Sequence, residues 1–130
     1  MIHETKVNVR MCETDALGHI SNISYFIYLE QARIELFRML GANTTSWDFI
    51  LASTSCDFVQ QGYFEQSIVV KTTVSKIGTK SFTIDHEVVD AKSETVIAHG
   101  KAVVVYFNFE TQESELLPED LKKKLNAYMF

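Results

Sequence analysis

A chain of 130 residues with a formal net charge of −5 and 46 % hydrophobic residues sits near ordinary globular composition, so one domain can build its core without metal or disulfide staples. The acidic balance, with a lysine run only at Lys122–Lys124, argues against a nucleic-acid surface. No stretch approaches a membrane span, and no repeat or biased tract points to a solenoid. Met1–Lys6 lacks the apolar stretch of ~7–15 residues that a signal peptide needs. Cys12 lies in a polar segment and Cys56 in an apolar run, with neither a disulfide framework nor metal-ligand spacing around them. These features predict a reducing, cytoplasmic setting.

Val7, Val9 and Met11 alternate with Lys6, Asn8 and Arg10, the period of a strand with one wet face. "CETDALGHISN" follows neither period and reads as a turn or short helical loop. From about Asn22 to Leu40 the spacing becomes helical. Tyr25, Tyr28, Leu29, Ala32, Leu36, Met39 and Leu40 share one face, and Phe26 and Phe37 widen it to about half the circumference. Ser21 or Asn22 can cap the start, and Gly41 can end the helix. Arg33 falls inside the apolar arc and needs a partner, for which Glu30 one turn earlier is the nearest candidate.

Four strand-like runs follow, Ile50 to Val59, Ser67 to Ser75, Ser81 to Val89 and Val96 to Phe109, with turns at Gly62 and Gly78 and a bulge expected at Gly100. Pro118 opens a short terminal helix. A widely apolar helix followed by strands in hairpin succession predicts an α+β fold, an antiparallel sheet wrapped around the helix. Exposed sheet edges predict dimerisation.

Asp15 lies between a strand and a helix start, with Gly18, His19 and Asn22 close behind. A carboxylate there can act as nucleophile or general base, and unpaired first-turn N–H groups can hold a carbonyl oxygen as it gains charge. The same spacing suits a solvated loop aspartate or a helix cap. His19 can serve as acid, base or ligand-orienting donor, or simply as a loop histidine. Asn22 can cap the helix, and its backbone N–H counts for more than its amide.

The stretch from Val9 to Arg38, "VRMCETDALGHISNISYFIYLEQARIELFR", resembles the 4-hydroxybenzoyl-CoA thioesterase-like branch of the hotdog superfamily. Arg10, Asp15, Gly18, His19, Asn22, Tyr25, Glu30, Ala32 and Arg33 stand at the matching places. More weakly, "VSKIGTKSFTIDHEV", "HGKAVVVYFNFET" and "LLPEDL" extend the likeness along the chain. The resemblance implies a hotdog acyl-CoA thioesterase over residues 1–130, with Asp15 as catalytic carboxylate and a backbone N–H near Asn22 as oxyanion donor. It implies a homodimer or dimer of dimers with the pantetheine arm at the subunit interface, and substrate contacts from Gly18, Tyr25, Gly78, Thr79, Lys80 and Ser81. Lys80 would meet a CoA phosphate. Coenzyme A is then part of the substrate, no cofactor or metal is expected, and an acyl carrier protein is an alternative donor. Phe26, Phe37, Trp47, Phe58 and Phe64 are acyl-tunnel or core residues. Two other readings compete: a hotdog dehydratase on a carrier-bound hydroxyacyl group, and a non-catalytic acyl-CoA-binding protein.

Overall fold

The computed structural model describes residues 1–42 and 48–130. Along the chain run β1 (His3–Asn8), a 3-10 turn (Met11–Glu13), α1 (Asn22–Met39), β2 (Phe49–Phe58), β3 (Ser67–Ile77), β4 (Ser81–Asp90), β5 (Val96–Asn108), β6 (Glu113–Ser114) and α2 (Glu119–Asn126). The strands form a six-stranded sheet in the order β1-β3-β4-β5-β2, with β6 added to β5 and every pair antiparallel. The sheet curls around α1, as the hotdog arrangement requires.

Alternation along β4 sends Phe82, Ile84, His86 and Val88 inward and leaves Thr83, Asp85 and Glu87 half-buried on the outer face. Leu29, Ala32 and Leu36 of α1 are fully buried against this floor, and each large apolar side chain so buried contributes ~1.5–3 kcal/mol. Leu36, Phe37, Phe49, Val74, Phe82 and Leu125 pack around the far end of α1. Tyr25, Tyr28, Leu29, Val70, Val88 and Ile97 pack around its near end.

Gly100 stays in regular register opposite Cys56 and His86 rather than forming the expected bulge. A Cβ at Gly100 would overlap the Leu29 side chain, so the glycine lets α1 approach the sheet. The register shifts fall instead at Leu51/Ser53, Val74/Lys76 and Val88/Val89. β1 also stops at Asn8, short of the Met11 that alternation predicted. Beyond it Val9 exchanges backbone bonds with Glu65 and Gln66 before the chain turns.

Arg33 does not pair with Glu30. It is 5 % exposed, and among the described residues it has no ion pair; its Nη1 instead lies 3.5 Å from His86 Nε2. Burial, with Arg33 beside it, pushes the His86 imidazole down to about 3. A neutral ring must accept from the guanidinium at Nε2, so Nδ1 carries the proton and donates to Thr72 Oγ1 at 3.0 Å. Nor is the whole apolar arc of α1 covered. Of its residues Phe26 and Met39 remain exposed, as do Ile23 and Ile27 outside the arc and Leu51 and Phe58 on edge strand β2.

Candidate active site

Residues 14–20 form a tight loop pinned by an isolated bridge between Thr14 and Ile20 and by the Asp15 N–H donating to the His19 carbonyl at 2.7 Å. Asp15 Oδ1 accepts from the Leu17 N–H at 2.8 Å and the His19 N–H at 3.1 Å. Among the described residues Oδ2 has no hydrogen-bond donor, and the side chain is exposed. One oxygen therefore fixes the carboxylate while the other stays available for chemistry. Gly18 makes the loop possible, since its φ of +79° is one that L side chains rarely adopt.

The segment 60–66, between β2 and β3, forms the loop's seat. Ile20 N–H donates to the Gly62 carbonyl at 2.8 Å and Phe64 N–H to the Gly18 carbonyl at 3.2 Å. The Tyr63 ring meets the His19 ring edge-on at 5.2 Å. Tyr25 is buried, and its hydroxyl hydrogen-bonds the Gly62 backbone. Desolvation pushes that phenol up to about 12. Tyr25 therefore holds the seat from below and stays protonated. Sequence reading found only a turn at Gly62, because alternation and helical spacing are both silent about a loop that packs on another loop.

Ser21 occupies the cap position of α1, but its hydroxyl makes no capping bond. Instead Ser21 N–H donates to the Glu13 carbonyl at 2.9 Å, Ser24 N–H to the Ser21 carbonyl at 2.9 Å, and Ser24 Oγ to the Glu13 carbonyl at 2.9 Å. Among the described residues the N–H groups of Asn22 and Ile23 have no acceptor outside the helix, so they are donors at the positive end of its dipole.

Glu13 escaped the sequence reading. Its Oε1 accepts from the Arg10 N–H at 2.9 Å and the Tyr28 hydroxyl at 3.0 Å, and Oε2 accepts from Arg10 Nε at 3.1 Å and Nη2 at 2.9 Å. Burial favours the neutral acid, but the bonds from Arg10 and Tyr28 outweigh it and hold the carboxyl below its usual range. The three-residue spacing from Arg10 was the only sequence signal; burial made it telling.

The turn carrying Gly78, Thr79, Lys80 and Ser81 joins β3 to β4 at the opposite end of the sheet from the Asp15 loop, which packs on the chain entering β3 at Ser67. With β3 11 residues long, ~3.3 Å per residue puts the two ends roughly 33 Å apart. Within one protomer, then, these predicted site residues do not meet. Phe37 is core, stacked on Phe49 at 4.5 Å, whereas Phe26, Phe58 and Phe64 are exposed, and Trp47 lies outside the described residues.

The sequence pattern of the thioesterase-like superfamily matches residues 9–125, spanning the loop, its seat, α1, strands β2 to β6 and nearly all of α2. The chain belongs to that superfamily. A curated relative, the uncharacterised protein YsmA of Bacillus subtilis strain 168, is 33 % identical over 125 residues, covering 92 % of this chain and 82 % of its own. The structure of a predicted thioesterase from Bacillus stearothermophilus superposes with a TM-score of 0.93 at 31 % identity, over 100 % of this chain and 98 % of the other. A thioesterase of Thermus thermophilus, complexed with coenzyme A and Zn, reaches a TM-score of 0.87 over 96 % and 92 % of the two chains; at 24 % identity it shows the fold alone. As a thioesterase, this protein has to bring a nucleophile or activated water to a thioester carbonyl and hold the developing oxyanion.

Proposed function

We propose that the protein hydrolyses acyl-CoA thioesters to free acid and coenzyme A, with Asp15 as the reacting carboxylate. The observation that carries this reading is the division of labour in Asp15: Oδ1 is held by Leu17 and His19 N–H groups while, among the described residues, Oδ2 has no donor and the Asn22 and Ile23 N–H groups at the start of α1 have no acceptor outside the helix. Oδ2 attacks the carbonyl carbon itself, or takes a proton from a water that does. The carbonyl oxygen gains the electron pair and is stabilised by the Asn22 or Ile23 N–H. Collapse breaks the C–S bond and releases the thiolate, which is protonated from solvent. On the nucleophilic route, water then hydrolyses the acyl-Asp15 anhydride. His19, propped against Tyr63, orients the ligand.

The working unit in this reading is a dimer built on β2. That edge strand is exposed over almost its whole length and carries no charge from Phe49 to Cys56, a template for antiparallel pairing with a second copy. Such pairing reverses direction, so the Phe49 end of one protomer lies beside the Phe58 end of the other. The turn at Gly78–Ser81 shares the Phe49 end, through Ser81 opposite Val105 and Val105 opposite Ile50. A partner's turn would thereby approach the Asp15 loop, with Lys80 available to a CoA phosphate. The exposed Ile23, Phe26 and Ile27 would be covered in the same step.

The test is a thiol-release assay over short, long and aromatic acyl-CoAs, with one acyl-carrier-protein thioester in parallel. Hydrolysis of at least one acyl-CoA class is expected. Release from the carrier thioester alone would reassign the donor, and release from none would remove the reading.

A further inference from the structure

Glu13 takes no chemical part in that mechanism, yet it ties together the two pieces the mechanism must align. It is 7 % exposed. Its carboxylate binds Arg10, just beyond β1, and Tyr28, in the second turn of α1. Its own carbonyl oxygen accepts from Ser21 N–H and Ser24 Oγ. Asp15 lies two residues after Glu13, and Asn22 directly follows Ser21. By taking up the Ser21 N–H, the Glu13 carbonyl leaves the next donors, on Asn22 and Ile23, as the ones presented to a substrate.

We infer that Glu13 is a positioning residue that sets the distance between the Asp15 carboxylate and the oxyanion donors of α1. This inference rests on the thioesterase reading above. A shift of about 1 Å in such an alignment costs ~10²-fold in rate. The charge of Glu13 matters because bonds from a guanidinium to a carboxylate are shorter and stronger than those to an amide. Glu13→Gln keeps the shape, turns an acceptor into a donor facing Arg10 or Tyr28, and frees the loop to drift.

The experiment compares Glu13→Gln and Tyr28→Phe with the parent by steady-state kinetics and by amide hydrogen exchange. The expected result for Glu13→Gln is a kcat ~10–100-fold lower with KM within about threefold of the parent. Exchange should quicken at the Leu17 and His19 amides and stay unchanged along β4. Tyr28→Phe, which removes one bond and leaves the Arg10 fork, should show the same split at about threefold or more. An unchanged kcat in folded Glu13→Gln overturns the inference, as does a rise confined to KM or faster exchange throughout the sheet. Should Glu13→Gln not fold, the Tyr28→Phe kinetics decide in the same way. If the parent itself releases thiol from no acyl-CoA, the thioesterase reading fails, and the exchange pattern alone upholds or overturns the positioning role.

Discussion

Asp15 and Arg33 are both charged residues of the 9–38 stretch, and the structure gives them opposite environments. Asp15 is exposed and its Oδ1 is held by backbone donors. Asp15→Asn keeps an oxygen for those donors but is neither base nor nucleophile, so kcat should fall at least ~10²-fold while the melting midpoint stays near the parent's. Near-parental kcat would remove Asp15 from the chemistry. Arg33 is buried and among the described residues makes no ion pair, Glu30 acting on it only at longer range, so Arg33→Met removes a desolvated cation and leaves the His86 acceptor unsatisfied. Urea unfolding should therefore place the variant within about 2 kcal/mol of the parent. A loss of ~3–5 kcal/mol would reveal a buried ion pair, with the acid supplied by a second subunit. His86 adds a pH signature. Its folded pKa, about 3, lies below the ordinary imidazole value, so the unfolded chain binds the extra proton; stability is complete above ~6.5 and declines as pH falls towards 3. Between pH 7 and 5 that linkage removes about 2 kcal/mol. In His86→Leu this part of the slope should vanish, and an unchanged slope would mean that another group carries it.

At the scale of elements, the proposed site needs more than α1: α1 would lend first-turn donors, and the 60–66 segment, bonded to Gly18 and Ile20, seats the Asp15 loop. Gly62 is the contact point. A Cβ there would overlap the buried Ile20 side chain and come within 2.9 Å of the Tyr25 hydroxyl. Gly62→Ala should therefore loosen the loop more than the core. Expected are a kcat about tenfold or more below the parent and faster proteolytic nicking within residues 14–20, with far-ultraviolet dichroism retained. Parental kcat and nicking would show that the seat tolerates a methyl group. The last turn of α1 and the buried face of α2 meet around Leu36, Leu121 and Leu125. That packing is remote from the chemistry, and substitutions there should act through stability alone.

For the whole molecule, an edge strand without charge from Phe49 to Cys56 and an uncovered apolar helix face are the features on which the proposed dimer rests. Ser53→Glu with Ser55→Glu places like charges on the edge without touching Asp15 or α1. Sedimentation should show a monomer at concentrations where the parent is dimeric, and thiol release should fall by ~10²-fold or more, as expected when site residues are split between chains. A fully active monomer would defeat both the edge pairing and the shared site.

Residue order alone was enough to read the number and succession of the principal elements and the face of β4 that turns inward. Apolar spacing is local, and each side chain's choice between core and water is the same wherever its element ends up. The resemblance carried over Val9–Arg38 added the roles. It took the folded chain to bury Glu13 and bond it fourfold, to turn Arg33 to His86 rather than Glu30, to make Gly100 the space for Leu29, and to set the turn at Lys80 at the far end of the sheet from Asp15. Each of these depends on which distant segments the wrapped sheet brings together. A periodic pattern cannot encode that, because it records a residue's exposure to the core but not its neighbour across it.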